Sequence, residues 1–350
     1  MASGGAGGRP SPPPSQERSR GALLGLAVGD ALGATLEFSE PKAPRFPTLA
    51  AGPHREVVGG GPFRLVPGQV TDDTHMACCL AASLRALGRF DCADVAARYV
   101  AWQEHAFDIG SQTAAALNAV REGTPAARAG FEIWKGARRP PAGNGSLMRT
   151  TPIAVLLADA EERRMAALGD SAITHFDPRC RLACAAFDAA VALAIEGATS
   201  REAIRTEAFE ELRPASVALL AEGGDQGDVT AALRALEEDL ALAAEDDPRL
   251  HGRSVHLHRT PGFVRVAFRL AFWELLHAPG FEEGLVDAVN RGGDADTNGA
   301  ITGALLGAFH GESAIPPSWR ERVLTAVPRE RGPLRDLYHP RSLLGLPRIP

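Results

Sequence analysis

The sequence is poor in the features that mark several large protein classes. Its five cysteines (Cys78, Cys79, Cys92, Cys180, Cys184) are odd in number and unevenly spaced, which excludes a secreted disulfide framework and points to a reducing compartment. Basic charge is not in excess: 37 Lys and Arg stand against 43 Asp and Glu, a net charge of −6. A sequence-independent nucleic-acid binder, which needs a basic face, is therefore not expected. The longest stretch free of Asp, Glu, Lys and Arg runs from Thr297 to Gly311 and contains Asn298 and His310. That falls short of the about 20 apolar residues a bilayer span needs, so no membrane association is expected. The first twenty residues are mostly Gly, Pro and Ser with scattered charge, without the apolar core of a leader peptide. They read as a disordered tail over 1–20, ahead of one domain over 21–350, in a soluble, cytoplasmic, monomeric protein. Strand alternation is nearly missing; β-favouring residues near 55–70 allow at most a short irregular hairpin. No GxSxG elbow, Walker loop or HExxH helix occurs.

What is present is helical. Hydrophobic residues make up 45% of the 350 positions, enough for a proper core. Amphipathic, alanine-rich stretches run through about 21–36, 74–87, 92–107, 111–121, 150–167, 178–197, 228–245, 262–277, 281–291 and 297–310. Glycine and proline punctuate them at 41–68, 122–147, 246–261 and 311–317. This pattern predicts an all-α protein. The segment GALLG occurs at 21–25 and again at 303–307, and glycines recur every fourth residue at 21, 25, 29, 33 and at 299, 303, 307, 311. Each row lies along one helix face. An interior helical glycine costs about 0.5–1 kcal/mol relative to alanine, so two rows point to backbones in close contact, which would bring Asp30 and Asp296 into one neighbourhood.

Two acidic clusters, Thr71-Asp72-Asp73-Thr74 and Gly293-Asp294-Ala295-Asp296-Thr297, each precede a helical stretch. Thr and Asp are preferred helix caps, which accounts for one such residue per helix but not for neighbouring carboxylates flanked by hydroxyls, twice. Hard oxygen donors without Cys or His suit Mg²⁺ or Mn²⁺; spacing alone leaves capping and metal binding both open. The loop Gly143-Asn144-Gly145-Ser146 precedes a helix expected near Leu147, a weak phosphate signal. His251, His256 and His258 have no regular Cys/His spacing around them and read as surface histidines of a variable insertion.

Six segments in order, GALLGLAVGDALGATLEF (21–38), GQVTDDTHMA (68–77), DIGSQT (108–113), GNGSLMRTTPIA (143–154), ITHFDPRC (173–180) and GGDADTNGAITGALLGAFHG (292–311), resemble the ADP-ribosylglycohydrolase family, most of all the dinitrogenase reductase-activating glycohydrolase-like branch. The resemblance implies a compact single-domain all-α fold with a central two-metal cleft. It implies Thr71, Asp72, Asp73, Asp294, Asp296 and Thr297 as ligands of two divalent cations, Mg²⁺ or Mn²⁺, with Asp296 bridging. Glu37 and Asp108 take the catalytic positions. Gly143, Asn144, Gly145, Ser146, Ser111 and His175 match ADP-ribose contacts; where relatives often carry Asn, this chain has the shorter Ser111. Met148 and Arg149 read as packing or bracing the loop. The implied activity is metal-dependent removal of ADP-ribose from a modified protein by cleavage at the anomeric carbon, arginine linkage first. The alternatives are a hydrolase of another linkage such as serine and a silent ADP-ribose binder of the same fold.

Overall fold

Two helices that touch through bare backbone organise the molecule. A computed structural model describes residues 14–137, 142–329 and 332–346. The principal helices are α1 (Pro14–Gly33), α2 (Asp72–Leu87), α3 (Cys92–Gln103), α4 (Ser111–Arg121), α5 (Ala126–Gly136), α6 (Thr151–Leu156), α7 (Ala160–Thr174), α8 (Pro178–Ile195), α9 (Arg201–Ala221), α10 (Gln226–Ala243), α11 (Val264–His277), α12 (Phe281–Asn290), α13 (Ala295–His310) and α14 (Pro317–Thr325). Among the described residues strand pairing is confined to isolated bridges, one of them Gly60 with Leu65 inside the expected hairpin region. No helix is long and apolar enough to cross a membrane.

The glycine rows do what their spacing predicts. A Cβ placed on Gly21, Gly25, Gly29 or Gly33 would lie 1.9–2.2 Å from the carbonyl oxygen of Gly307, Gly303, Gly299 or Ala295 respectively. α1 and α13 therefore run antiparallel with their backbones in contact. α1 from Gly21 onward and α13 are buried nearly all round, as an apolar helix in a protein interior must be, and α8, α11 and α12 pack about them.

Three expectations need correction. The segment read as a tail through residue 20 is helical from Pro14, and it is docked. The Arg18 guanidinium donates to the carbonyls of Ala194 and Ala198 (2.7 and 3.1 Å), and Arg20 pairs with Glu312 at 2.5 Å; residues 1–13 lie outside the described residues. The stretch 150–167 is two helices, because Asp159 accepts from the amides of Glu161 and Glu162 (3.0 and 2.9 Å) and starts α7 afresh. α5 and α9 fall where no helix was expected. Gly130 of α5 looks like a breaker but is a contact glycine, its missing Cβ 2.3 Å from the Ala172 carbonyl. α9 carries Pro214 in its interior, which normally ends a helix. Its buried stripe of Ile204, Ala208, Leu212, Ala215 and Leu219 holds it against α8 and α10 regardless.

Candidate functional site

In neither acidic cluster does the residue at the N-cap cap its own helix with its side chain. Thr71 stands at the N-cap of α2 in extended conformation, yet its side chain makes no cap; its hydroxyl lies within hydrogen-bond reach of Asp30 (3.0 Å) and Asp73 (3.1 Å). The cap comes from α1. The fully buried Asp30 carboxylate accepts from the amides of Thr71 (3.0 Å) and Thr74 (3.2 Å) and from the Thr74 hydroxyl (2.5 Å). A carboxylate at a helix N-terminus satisfies orphan amides and meets the positive end of the dipole, so Asp30 locks α2 against the glycine-lined helix and frees Asp72 and Asp73. Asp294 likewise precedes α13 without capping it, its Oδ2 accepting from the Asn144 amide group at 2.8 Å.

The freed carboxylates converge on a cleft of about 420 Å³ whose lining includes Glu37, Asp72, Asp108, Ser111, Gly143, Asn144, Gly145, His175, Asp294, Asp296 and Thr297. Glu37, Asp294 and Asp296 each bring an oxygen within 4.8 Å of the others. Burial, and then the charges of Asp108 and Asp294, push the Glu37 carboxyl up to about 8. Burial and the charges of Asp30 and Asp294 push Asp108 up to about 7. Asp72, Asp73 and Asp296 are driven well above the ordinary range, again by burial first and by neighbouring acids second. Among the described residues no ion pair involves these carboxylates. Glu37 Oε2 and Asp73 Oδ1 are buried without a hydrogen-bond partner. Buried oxygen donors left this way fit a hard divalent cation.

Three residues of the expected set are not among those that line the cleft. Thr71 and Asp73 are fully buried beside it, and the Asp73 charge acts on Asp296. The Ser146 hydroxyl is turned inward, accepting from Ser171 at 2.9 Å, so of the four-residue loop only Gly143, Asn144 and Gly145 face the cleft. The helix expected after that loop is a three-residue 3₁₀ turn, Leu147–Arg149, too short to supply a helix-end field. Rigidity comes instead from Arg149, which is buried, pairs with Asp170 at 3.0 Å, reaches the Gly145 carbonyl at 3.4 Å and lies 4.5 Å over the Tyr99 ring. His175 closes the other side. Burial and the Arg149 charge push it down to about 3, so it is neutral, with Nδ1 on the Thr174 hydroxyl at 2.8 Å. Its ring fills the space a side chain at Gly145 would need, 2.8 Å from the missing Cβ.

The cleft also has members that the sequence reading missed: Phe38, Gln112, Thr113 and Gly262. Gly262 follows the histidine-bearing loop and joins the cleft lining, whereas His251, His256 and His258 do not line it. The Gly262 carbonyl accepts from the Asn144 amide at 3.0 Å, and His258 Nε2 lies 2.8 Å from the Arg291 carbonyl, three residues before Asp294. Nothing in the sequence marked position 262, which was read as the first residue of a helical stretch. Asp30 did carry a signal, an acid inside an apolar helix beside a glycine row.

Comparison with known proteins agrees with this architecture. The ADP-ribosylglycohydrolase family profile matches residues 11–343. The ADP-ribosylarginine hydrolase Tri1 of Pseudomonas putida (strain GB-1) is 33% identical over 324 residues, covering 89% of this chain and 76% of that protein. The ADP-ribosyl-[dinitrogen reductase] glycohydrolase of Rhodospirillum rubrum is 30% identical over 333 residues, covering 91% and 94%. A solved structure titled ADP-ribosylglycohydrolase-related protein complex superposes with a TM-score of 0.68 at 32% identity, over 94% of this chain and 97% of that one. With its helical fold, its ordered motifs and a carboxylate-lined cleft that brings those motifs together, the chain belongs to the ADP-ribosylglycohydrolase family.

Proposed function

We propose that the protein removes ADP-ribose from modified proteins, arginine-linked ADP-ribose first, with two divalent cations, Mg²⁺ or Mn²⁺, held by Thr71, Asp72, Asp73, Asp294, Asp296 and Thr297. The observation that carries the reading is the meeting of Glu37, Asp294 and Asp296 oxygens within 4.8 Å, in one cleft with Asp108 and the Gly143–Gly145 loop. The Tri1 and dinitrogen reductase relatives support the substrate class. Bound cations would grip the hydroxyls of the distal ribose and place positive charge beside the scissile bond.

The chain's own groups do the rest. The loop Gly143–Gly145, braced by Arg149 and packed against the His175 ring, presents its backbone to the diphosphate and ribose; Ser111 contributes a hydroxyl at the rim. Water adds to the anomeric carbon as the bond to the guanidine nitrogen breaks, and the departing guanidine takes a proton. Asp108 lines the cleft and is placed to move the proton between the attacking water and the departing guanidine. Glu37 stands beside it as a second carboxyl facing the same space, and ionised beside bound cations it steadies positive charge developing on the ribose.

The decisive assay is release of ADP-ribose from an arginine-ADP-ribosylated protein with EDTA, then with Mg²⁺ or Mn²⁺ restored. Release of intact ADP-ribose that returns with the cation is expected. AMP or phosphate as product would replace the glycosidic reading by a phosphohydrolase, and calorimetric binding without release would favour the serine linkage or a silent binder.

The electrostatics make a separate prediction. Groups whose folded values lie above their unfolded ones bind protons more tightly in the folded chain. Stability therefore falls as pH rises from the ordinary carboxyl value of about 4 towards the folded values near 7 and 8. EDTA-treated protein should melt progressively lower from pH 6 to pH 8.5. Added Mn²⁺ should raise the melting temperature, most at the alkaline end; at a hundredfold excess over Kd the gain is about 2.7 kcal/mol. A pH-independent melting point in the metal-free protein would contradict the crowding of carboxylates described above.

A further inference from the structure

Phe38 is the one part of the cleft whose conformation costs stability without helping the core. It has a φ of 59°, a left-handed backbone that a bulky side chain seldom adopts, and the residue is 67% exposed. Strain held at an exposed apolar residue calls for a use outside the fold. The conformation is imposed from both sides. The Phe38 amide donates to the Gly293 carbonyl at 2.7 Å and the Gly293 amide to the Ser39 carbonyl at 2.8 Å. The ring is thereby tied to the residue before Asp294 and follows Glu37 directly, and it lines the same cleft as Asp72, Asp108 and Asp296. Its exposed ring has no packing role to satisfy.

We infer that Phe38 is a specificity-determining residue whose ring face receives the guanidinium of the arginine to which ADP-ribose is attached. A planar cation entering an acid-lined cleft beside an exposed phenyl gains cation–π attraction on one side and carboxylate attraction on the other. A serine linkage offers neither a plane nor a charge at that point. The inference rests on the arginine-linkage reading and deepens it by naming what selects that linkage. The backbone contacts fix the ring in advance, so the guanidinium meets a preformed surface.

The test uses metal-loaded full-length protein with Phe38→Ala, Phe38→Tyr and Phe38→Gly, assayed on an ADP-ribosyl-arginine peptide, an ADP-ribosyl-serine peptide and, by calorimetry, free ADP-ribose. Phe38→Ala is expected to raise KM for the arginine-linked peptide about 3- to 30-fold, with the loss in KM rather than kcat. Phe38→Tyr restores it, and the Kd for free ADP-ribose stays put. Phe38→Gly should match Phe38→Ala in KM while melting no lower than wild type, because glycine relieves the φ of 59°; a merely structural role would lower the melting point. An unchanged KM in Phe38→Ala, or an equal rise in the Kd for free ADP-ribose, overturns the inference. If wild type releases nothing from the arginine-linked peptide, the functional reading fails first. The ring is then judged on calorimetric binding of that peptide, which Phe38→Ala must weaken relative to free ADP-ribose for the inference to stand.

Discussion

Asp296→Asn should abolish hydrolysis while making the metal-free protein more stable. Asp296 is 1% exposed, and burial together with the charges of Asp73, Asp294 and Glu37 holds its carboxyl well above the ordinary range. Asparagine keeps the shape and can still accept from the Thr297 amide, as Asp296 Oδ1 does at 2.9 Å, but it removes one anion from a crowd of anions. The metal-free melting temperature should therefore rise or hold, with the far-UV helical signal intact. Activity should fall by more than about 100-fold, because loss of an outer partner of a metal ligand already costs about 10- to 100-fold and Asp296 would be a bridging ligand itself. The stabilisation by Mn²⁺ should shrink in step. Opposite signs for stability and activity separate a metal-site defect from a folding defect, and wild-type turnover in this variant would refute the bridging role.

The second large effect is on folding. Gly29→Ala, a change that ordinarily stabilises a helix interior by about 0.5–1 kcal/mol, should here cost more than the about 1–3 kcal/mol typical of overpacking. The new Cβ would lie 1.9 Å from the Gly299 carbonyl oxygen and 2.3 Å from its carbon. These are backbone atoms, and no rotamer change moves them aside. α1 and α13 must separate instead, taking Asp30 away from the amides of Thr71 and Thr74. Loss of soluble protein, or a fall in melting temperature of about 5–10 °C, is expected, and Gly303→Ala should behave alike, its Cβ 2.2 Å from the Gly25 carbonyl. Gly136→Ala is the control, since a Cβ there meets nothing within 4 Å and should be neutral. If Gly29→Ala melts like wild type, the close approach of the two helices is wrong.

Much of this was legible in the chain because its signals are local or periodic. Runs of alanine and leucine at helical spacing determine the all-α class, and glycine at every fourth position marks the two helices that must touch. The residue types of the acidic clusters narrow the chemistry to helix capping or the binding of hard cations, and spacing alone left both open. Their clustering in space follows from the glycine rows, which bring the start of α13 against the end of α1.

What tertiary structure alone decided depends on partners distant in sequence. Asp30 caps a helix that begins 42 positions later, so no local rule assigns it. Ser146 points away from the cleft, where its hydroxyl accepts from Ser171. His175 is neutral because Arg149 and burial make its cation unfavourable, and α9 keeps Pro214 because its apolar stripe is covered by neighbours. Phe38 stands exposed at positive φ because Gly293, more than 250 residues away, fixes its backbone. Sequence determines which side chains are available and which helices they ride on; burial, charge and hydrogen bonding among distant residues decide which of them face the cleft and in what protonation state.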